Sequence, residues 1–101
     1  MNFIAKETVM QDIENFANSI KSSYSVDGCT VFTRSEEDIV WMGYLIQKAG
    51  NQFIVKMPYV EDSGTMAIQK KQWTIEQDGR EFAFGLGSLG EVFTRLEIEK
   101  S

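Results

Sequence analysis

From Cys29 to Leu86 apolar side chains recur at every second position, and short clusters of turn-forming residues interrupt the alternation at close intervals. No other feature constrains the chain as much, because a period of two with short turns can be satisfied only by strands that fold back on one another as an antiparallel meander. The spacing predicts strands over 29–34, 38–48, 52–60, 65–76 and 80–86. The turns between them are Ser35-Glu36-Glu37-Asp38, Gly50-Asn51, Glu61-Asp62-Ser63-Gly64 and Asp78-Gly79. Gly50-Asn51 suits a two-residue type II′ turn and Asp78-Gly79 a type I′ turn, and such turns fix register as well as existence.

With these turns, Ile46 is expected opposite Val55, Tyr44 opposite Met57 and Met42 opposite Tyr59, which makes one sheet face continuously apolar. The last hairpin sets Ile75 opposite Phe82 and Trp73 opposite Phe84. Across the Glu61–Gly64 turn, Tyr59 pairs with Met66 and Met57 with Ile68, after which the apolar phase changes from even to odd numbers before Trp73. A β-bulge near Lys70-Lys71 is the simplest device that restores the phase.

The alternation gives way to helical spacing at both ends. Val9, Ile13, Phe16 and Ile20 predict a helix over 8–23, with Thr8 and Gln11 in the capping-box pattern and Lys21 near the negative end of the dipole. Leu89, Val92, Phe93 and Leu96 predict a second helix over 89–99, with Ser88 and Glu91 in the same capping pattern. The expected fold is therefore α+β, a single domain over residues 1–101 in the order α-β-β-β-β-β-α. It is a five-stranded antiparallel meander sheet with the N-terminal and the C-terminal helix packed on one face, the face bearing Tyr44, Val55, Met57, Ile68 and Phe84. Phe16 and Phe93 are expected to fill the space where each helix meets the sheet.

Composition closes off much chemistry. The 101 residues include no histidine, which removes the commonest general base, the usual triad partner and the leading nitrogen ligand of transition metals. Cys29 is the single cysteine, so no intrachain disulfide can form, and burial in the core is the expected role for an unpartnered thiol. Fifteen acids against ten bases give a net charge of -5, which argues against binding a nucleic-acid backbone. The longest apolar run, Ile39 to Ile46, is far short of the roughly 20 residues that span a bilayer, so no membrane partner is expected. The first residues lack the basic and apolar regions of an export signal, and with the lone cysteine this predicts a cytoplasmic protein.

Gly85-x-Gly87-x-x-Gly90 follows a strand and opens a helix, the local setting of a dinucleotide fingerprint. The pattern lacks the parallel βαβ unit and the acidic residue about 20 positions on that nucleotide binding requires, so these glycines are read as a strand-to-helix turn and no cofactor is expected. The acidic clusters Glu36-Glu37-Asp38, Glu61-Asp62 and Glu76 with Asp78 fall in or beside predicted turns and read as solvated charge, with no metal site.

The second face of the sheet is the more informative one. Period two turns Phe32, Ile39, Trp41, Leu45 and Ile54 away from the helices, beside Lys56, Gln47 and Pro58, so that face is half apolar where a solvated face should be polar. These five residues are the candidate partner-binding site, for another protein or for a second copy in a homodimer. The alternatives are that the N-terminal Phe3 and Ile4 fold back over the patch or that the two helices split between the faces. In layout and acidity the chain resembles the small helix-flanked sheets of secretion chaperones and toxin-immunity proteins, and that resemblance implies an adaptor, chaperone-like or inhibitor role without catalysis. The competing reading is a small-molecule-binding protein or enzyme with a pocket between sheet and helices, its chemistry resting on Glu, Asp, Lys or Tyr.

Overall fold

The structure, a computed structural model, describes residues 2–101. Its elements are β1 (Ile4–Ala5), α1 (Lys6–Ser23), β2 (Gly28–Glu36), β3 (Ile39–Lys48), β4 (Asn51–Asp62), β5 (Thr65–Ile68), β6 (Trp73–Gln77), β7 (Arg80–Leu86) and α2 (Leu89–Arg95). All pairing is antiparallel within one sheet. The meander runs β2-β3-β4, and the outer edge of β4 is then shared: β5 pairs with its C-terminal half and β6 with its N-terminal half. β1 covers β5 and β7 covers β6.

The expected fourth strand over 65–76 is thus two strands. Tyr59 lies opposite Ile68, and an unbroken ladder would bring Gln72 opposite Val55, yet Ile75 is there instead. The extra residues are taken up between Ile68 and Trp73, where Gln69 donates from its backbone to Pro58 and Gln72 to Lys70. An insertion of odd length exchanges the faces of everything after it, which is the physical origin of the even-to-odd change in apolar phase.

Three turns are tighter than, or displaced from, the sequence expectation. The β3–β4 turn is Ala49-Gly50, not Gly50-Asn51, and the β4–β5 turn is the two residues Ser63-Gly64. Both carry positive φ at both positions, as Asp78-Gly79 does, the type I′ geometry whose twist matches the flanking strands. Its second position sits near φ +80°, where glycine is unstrained, so Gly50 and Gly64 belong there. Moving a turn by one residue moves the register by two, which preserves the faces. Met42 accordingly meets Met57, Tyr44 meets Val55 and Ile46 meets Phe53. Likewise Tyr59 meets Ile68, not Met66. At the first hairpin only Glu37 and Asp38 form the turn, so Arg34 pairs with Trp41 and Phe32 with Gly43.

Both helices lie on one face. α1 contributes Val9, Ile13, Ala17 and Ile20 to a single core cluster, α2 contributes Val92 and Phe93, and Leu96 and Ile98 follow; the sheet adds Cys29, Met42, Tyr44, Ile46, Val55, Met66, Ile75 and Ala83. Met57 is buried as expected. Ile68 and Phe84 are not core: Ile68 is 39% exposed beside the β5 edge and Phe84 is 75% exposed. Register shifts between Glu76, Ile75 and Trp73 bring Ala83 and Leu86, instead of Phe82 and Phe84, opposite Ile75 and Trp73. Phe16 is 41% exposed, because Ala17 takes the inward position and leaves the phenyl ring to lean on Tyr44 at 6.0 Å.

α1 begins at Lys6 with Ala5 as its N-cap, so Thr8 lies inside the helix and makes no cap bond. At α2 the capping half of the expected box forms, Ser88 Oγ accepting from the Glu91 amide, while Glu91 Oε2 accepts from the amide of Gly87, one residue before the cap, instead of from that of Ser88. That helix stops at Arg95, short of 99. The Ile98 amide donates back to Phe93 and the Glu97 amide to Thr94, with Glu97 at φ +56°, the pattern of a Schellman cap. Lys48 Nζ completes the cap by donating to the carbonyls of Leu96, at 3.3 Å, and Glu97. The residues beyond pair Lys100 with Tyr24, and the Ser101 amide donates to Ser23.

Candidate functional site

Three rows of side chains cross the face opposite the helices. Arg34, Trp41 and Pro58 lie side by side on β2, β3 and β4; Phe32, Gly43, Lys56 and Thr74 form the next row; Thr30, Leu45, Ile54, Glu76 and Glu81 form the third. Ile39, opposite Glu36, stands at the hairpin end. The five predicted residues Phe32, Ile39, Trp41, Leu45 and Ile54 are therefore brought together on one face, each half-buried. Phe3 and Ile4 do not cover them: Ile4 pairs with Met66, and both residues are exposed at the opposite edge of the sheet.

A charged network occupies the middle of this face. Lys56, only 2% exposed, donates to Glu76 Oε1 at 3.0 Å and lies 2.9 Å from Glu81 Oε2. Arg34 reaches over β3 and β4 to grip the same Glu76 carboxylate with two parallel bonds of 3.0 Å, the bidentate geometry that makes guanidinium–carboxylate pairs strong. Arg34 also stands 3.7 Å from Glu36, whose other oxygen accepts from Trp41 Nε1 at 3.1 Å. Aromatic rings supply the cover: Lys56 Nζ lies 4.5 Å from the centre of the Trp41 ring, and the Arg34 guanidinium 5.0 Å from that of Phe32. Gly43 makes the arrangement possible. A Cβ there would stand 1.9 Å from the Val55 carbonyl oxygen, so β3 and β4 approach too closely for any side chain, and the path from Arg34 to Glu76 stays open.

The electrostatics follow from these contacts. The two bonds from Arg34, aided by Lys56 and opposed by burial, hold the Glu76 carboxyl down to about 2, and the same pairing raises Arg34. Glu76 is thus fixed as an anion, with its oxygens engaged, and is unsuited to donating or accepting a proton near neutrality. Among the described residues no buried side-chain polar atom lacks a partner, so the centre of the face is a rigid, internally satisfied base ringed by apolar groups. Phe84, one residue from the inward-facing Ala83, adds the most exposed aromatic ring of the β7 edge.

The sequence reading missed the network. Lys56 was visible as a neighbour of the patch, and Glu76 alternates with the core residue Ile75, but joining them needs the β4–β6 register, which the insertion before Trp73 displaces.

The pocket of the competing reading lies under α1, lined by Ile4, Val9, Asp12, Ile13, Tyr59 and Met66 among others, with a volume of about 250 Å³. Its polar groups include Asp12 and Tyr59, whose phenol is pushed up by burial and by the Asp12 charge. It brings no lysine into reach of them. Cys29 is buried on the helix face, and burial pushes its thiol up to about 11, which keeps it protonated and inert. Among the described residues no group of three or more histidine, cysteine or carboxylate side chains is placed to hold a metal ion, and no helix is long and apolar enough to cross a membrane.

The chain belongs to a family described as "Family of unknown function (DUF5634)", whose pattern matches residues 3–96 and so spans every residue of the open face named above. No curated protein matches the chain.

Proposed function

We propose that this chain is a cytoplasmic protein-binding module without catalysis of its own, and that it presents the face bearing Phe32, Ile39, Trp41, Leu45 and Ile54 to another protein. The observation that carries this reading is the placement of both helices on the opposite side, which leaves an aromatic and aliphatic patch uncovered over a rigid ionic base. Binding energy would concentrate on Trp41 and its neighbours, since buried aromatic anchors with preorganised surroundings dominate most interfaces. The rim is acidic: Glu36, Glu37 and Asp38 form the hairpin tip and Glu81 the far border, all exposed. The fitting partner is a protein surface with apolar groups ringed by lysine or arginine, attracted at long range by a net charge of -5.

Affinity capture with wild type and Trp41→Asp in parallel tests this, followed by calorimetry with the purified partner. We expect a partner retained by wild type, lost with Trp41→Asp, and weakened as salt rises. A set of retained proteins identical for the two baits would overturn the proposal. Face-to-face association of two copies is a distinct outcome of the same comparison, seen as a Trp41-dependent dimer in sedimentation.

A further inference from the structure

β2 is paired on one side only. Its ladder with β3 runs without irregularity from Gly28 to Glu36, and among the described residues no segment pairs with its outer edge. The two-residue turn makes Glu36 and Ile39 the closing hydrogen-bonded pair, so Gly28, Thr30, Phe32, Arg34 and Glu36 bond to β3. Cys29, Val31, Thr33 and Ser35 then direct their amides and carbonyls outward. The opposite border of the sheet is handled differently. There β5 is covered by β1, β6 is covered by β7, and β7 itself is disrupted by two register shifts and by Gly85 at φ +74°. Short, bulged or covered edges are how sheets avoid unwanted pairing, whereas β2 runs nine residues in a regular ladder with neither a bulge nor a proline or lysine.

We infer that the β2 edge pairs antiparallel with β2 of a second copy of this chain, joining two sheets across a two-fold axis. A two-fold through Phe32 overlaps the whole strand. Val31 then meets the second copy's Thr33 and Cys29 meets its Ser35, so the outward donors and acceptors of both copies are satisfied together. On the open face Arg34 meets Thr30 and Glu36 meets Gly28, so no like charges stand opposed. Stacking two open faces would instead press Arg34, Glu36, Lys56, Glu76 and Glu81, a net negative set, against its own image, with a desolvation cost that edge pairing avoids. Edge pairing also leaves the Trp41 face free and sets two such faces side by side, and it stands or falls independently of what that face binds.

Sedimentation velocity on the full chain, from low to high micromolar concentration, tests the inference with Thr33→Pro and Trp41→Asp beside wild type. Proline at Thr33 removes an outward amide and takes nothing from the β3 ladder. We expect a wild-type dimer, a dissociation constant at least about a hundredfold weaker in Thr33→Pro, and no such change in Trp41→Asp. Hydrogen exchange on wild type supplies a second reading should Thr33→Pro fail to fold: the amides of Cys29, Val31, Thr33 and Ser35 should exchange about tenfold more slowly at high than at low protein concentration. A monomer at all concentrations, a dimer whose four amides exchange at an unchanged rate, or association lost in Trp41→Asp but kept in Thr33→Pro would each overturn the inference.

Discussion

The two faces of this sheet are buried by different means. The helix face is closed by apolar volume: Ile20, Ile46, Val55, Ile75 and Val92 interlock with almost no solvent contact and no ionised group among them. The open face has no second layer, yet it hides Lys56 as completely as the core hides a methionine, using two carboxylates, a guanidinium and an indole ring as the cover. The first kind of burial depends on fit and is indifferent to protons and salt; the second depends on charge partners and is sensitive to both.

The most damaging way to probe the first face is Phe93→Ala, which should cost about 3–5 kcal/mol in chemical denaturation by leaving a cavity between α2 and the sheet. Phe16→Ala, on the same face but largely exposed, should cost only about 1 kcal/mol, and equal costs would show that Phe16 is seated more deeply than the structure has it.

On the second face, Glu76→Ala should cost about 3 kcal/mol, because Lys56 stays buried with only Glu81 to pair with. Adding Lys56→Met should recover part of that loss, since an apolar side chain of similar length needs no partner; a double variant weaker than Glu76→Ala would show that the lysine contributes more than its ion pair.

Acid should separate the faces without mutation. The Glu76 carboxyl is held at about 2 against an ordinary 4.5, so the stabilisation it provides is complete above about pH 4.5 and disappears as the pH falls toward 2. The stability gap between wild type and Glu76→Gln should shrink over that window, whereas the loss in Phe93→Ala should be the same at both ends. The smallest effect is expected at neither face: Glu97→Gly should raise stability by about 0.5–1 kcal/mol by relieving a non-glycine residue of its left-handed conformation in the α2 cap.

Much of the helix face can be read from sequence, and less of the open face. Period two and turn residues are local signals, so Tyr44, Val55 and Ile75 declare their face without reference to any partner strand. Even displaced turns keep it, because registers slip here by two. What depends on a partner is hidden. Nothing local tells Phe84 that shifts opposite β6 will turn it outward, and nothing local tells Arg34 that Glu76 waits three strands away. Lys56 in isolation looks like a solvated residue, and its burial follows only once the insertion after Ile68 has set β6 beside β4. The five patch residues were legible as a group because they share a face; the ionic base beneath them was not, because it is a product of long-range pairing.

The tight turns also set an order of assembly. Each hairpin from β2 to β5 closes through two residues, so its ladder can zip with little loss of chain entropy and on a microsecond scale of about 1–10 μs. The bridge from Tyr24 to Lys100, by contrast, encloses nearly the whole sheet between its ends and has little to close upon until α2 has docked. The rate-limiting event in folding should then be the docking of the two helices against a preformed ladder, so that substitutions at the Tyr24–Phe93 contact alter the folding rate through the docking step and those in the β2–β4 turns alter it through the population of the ladder.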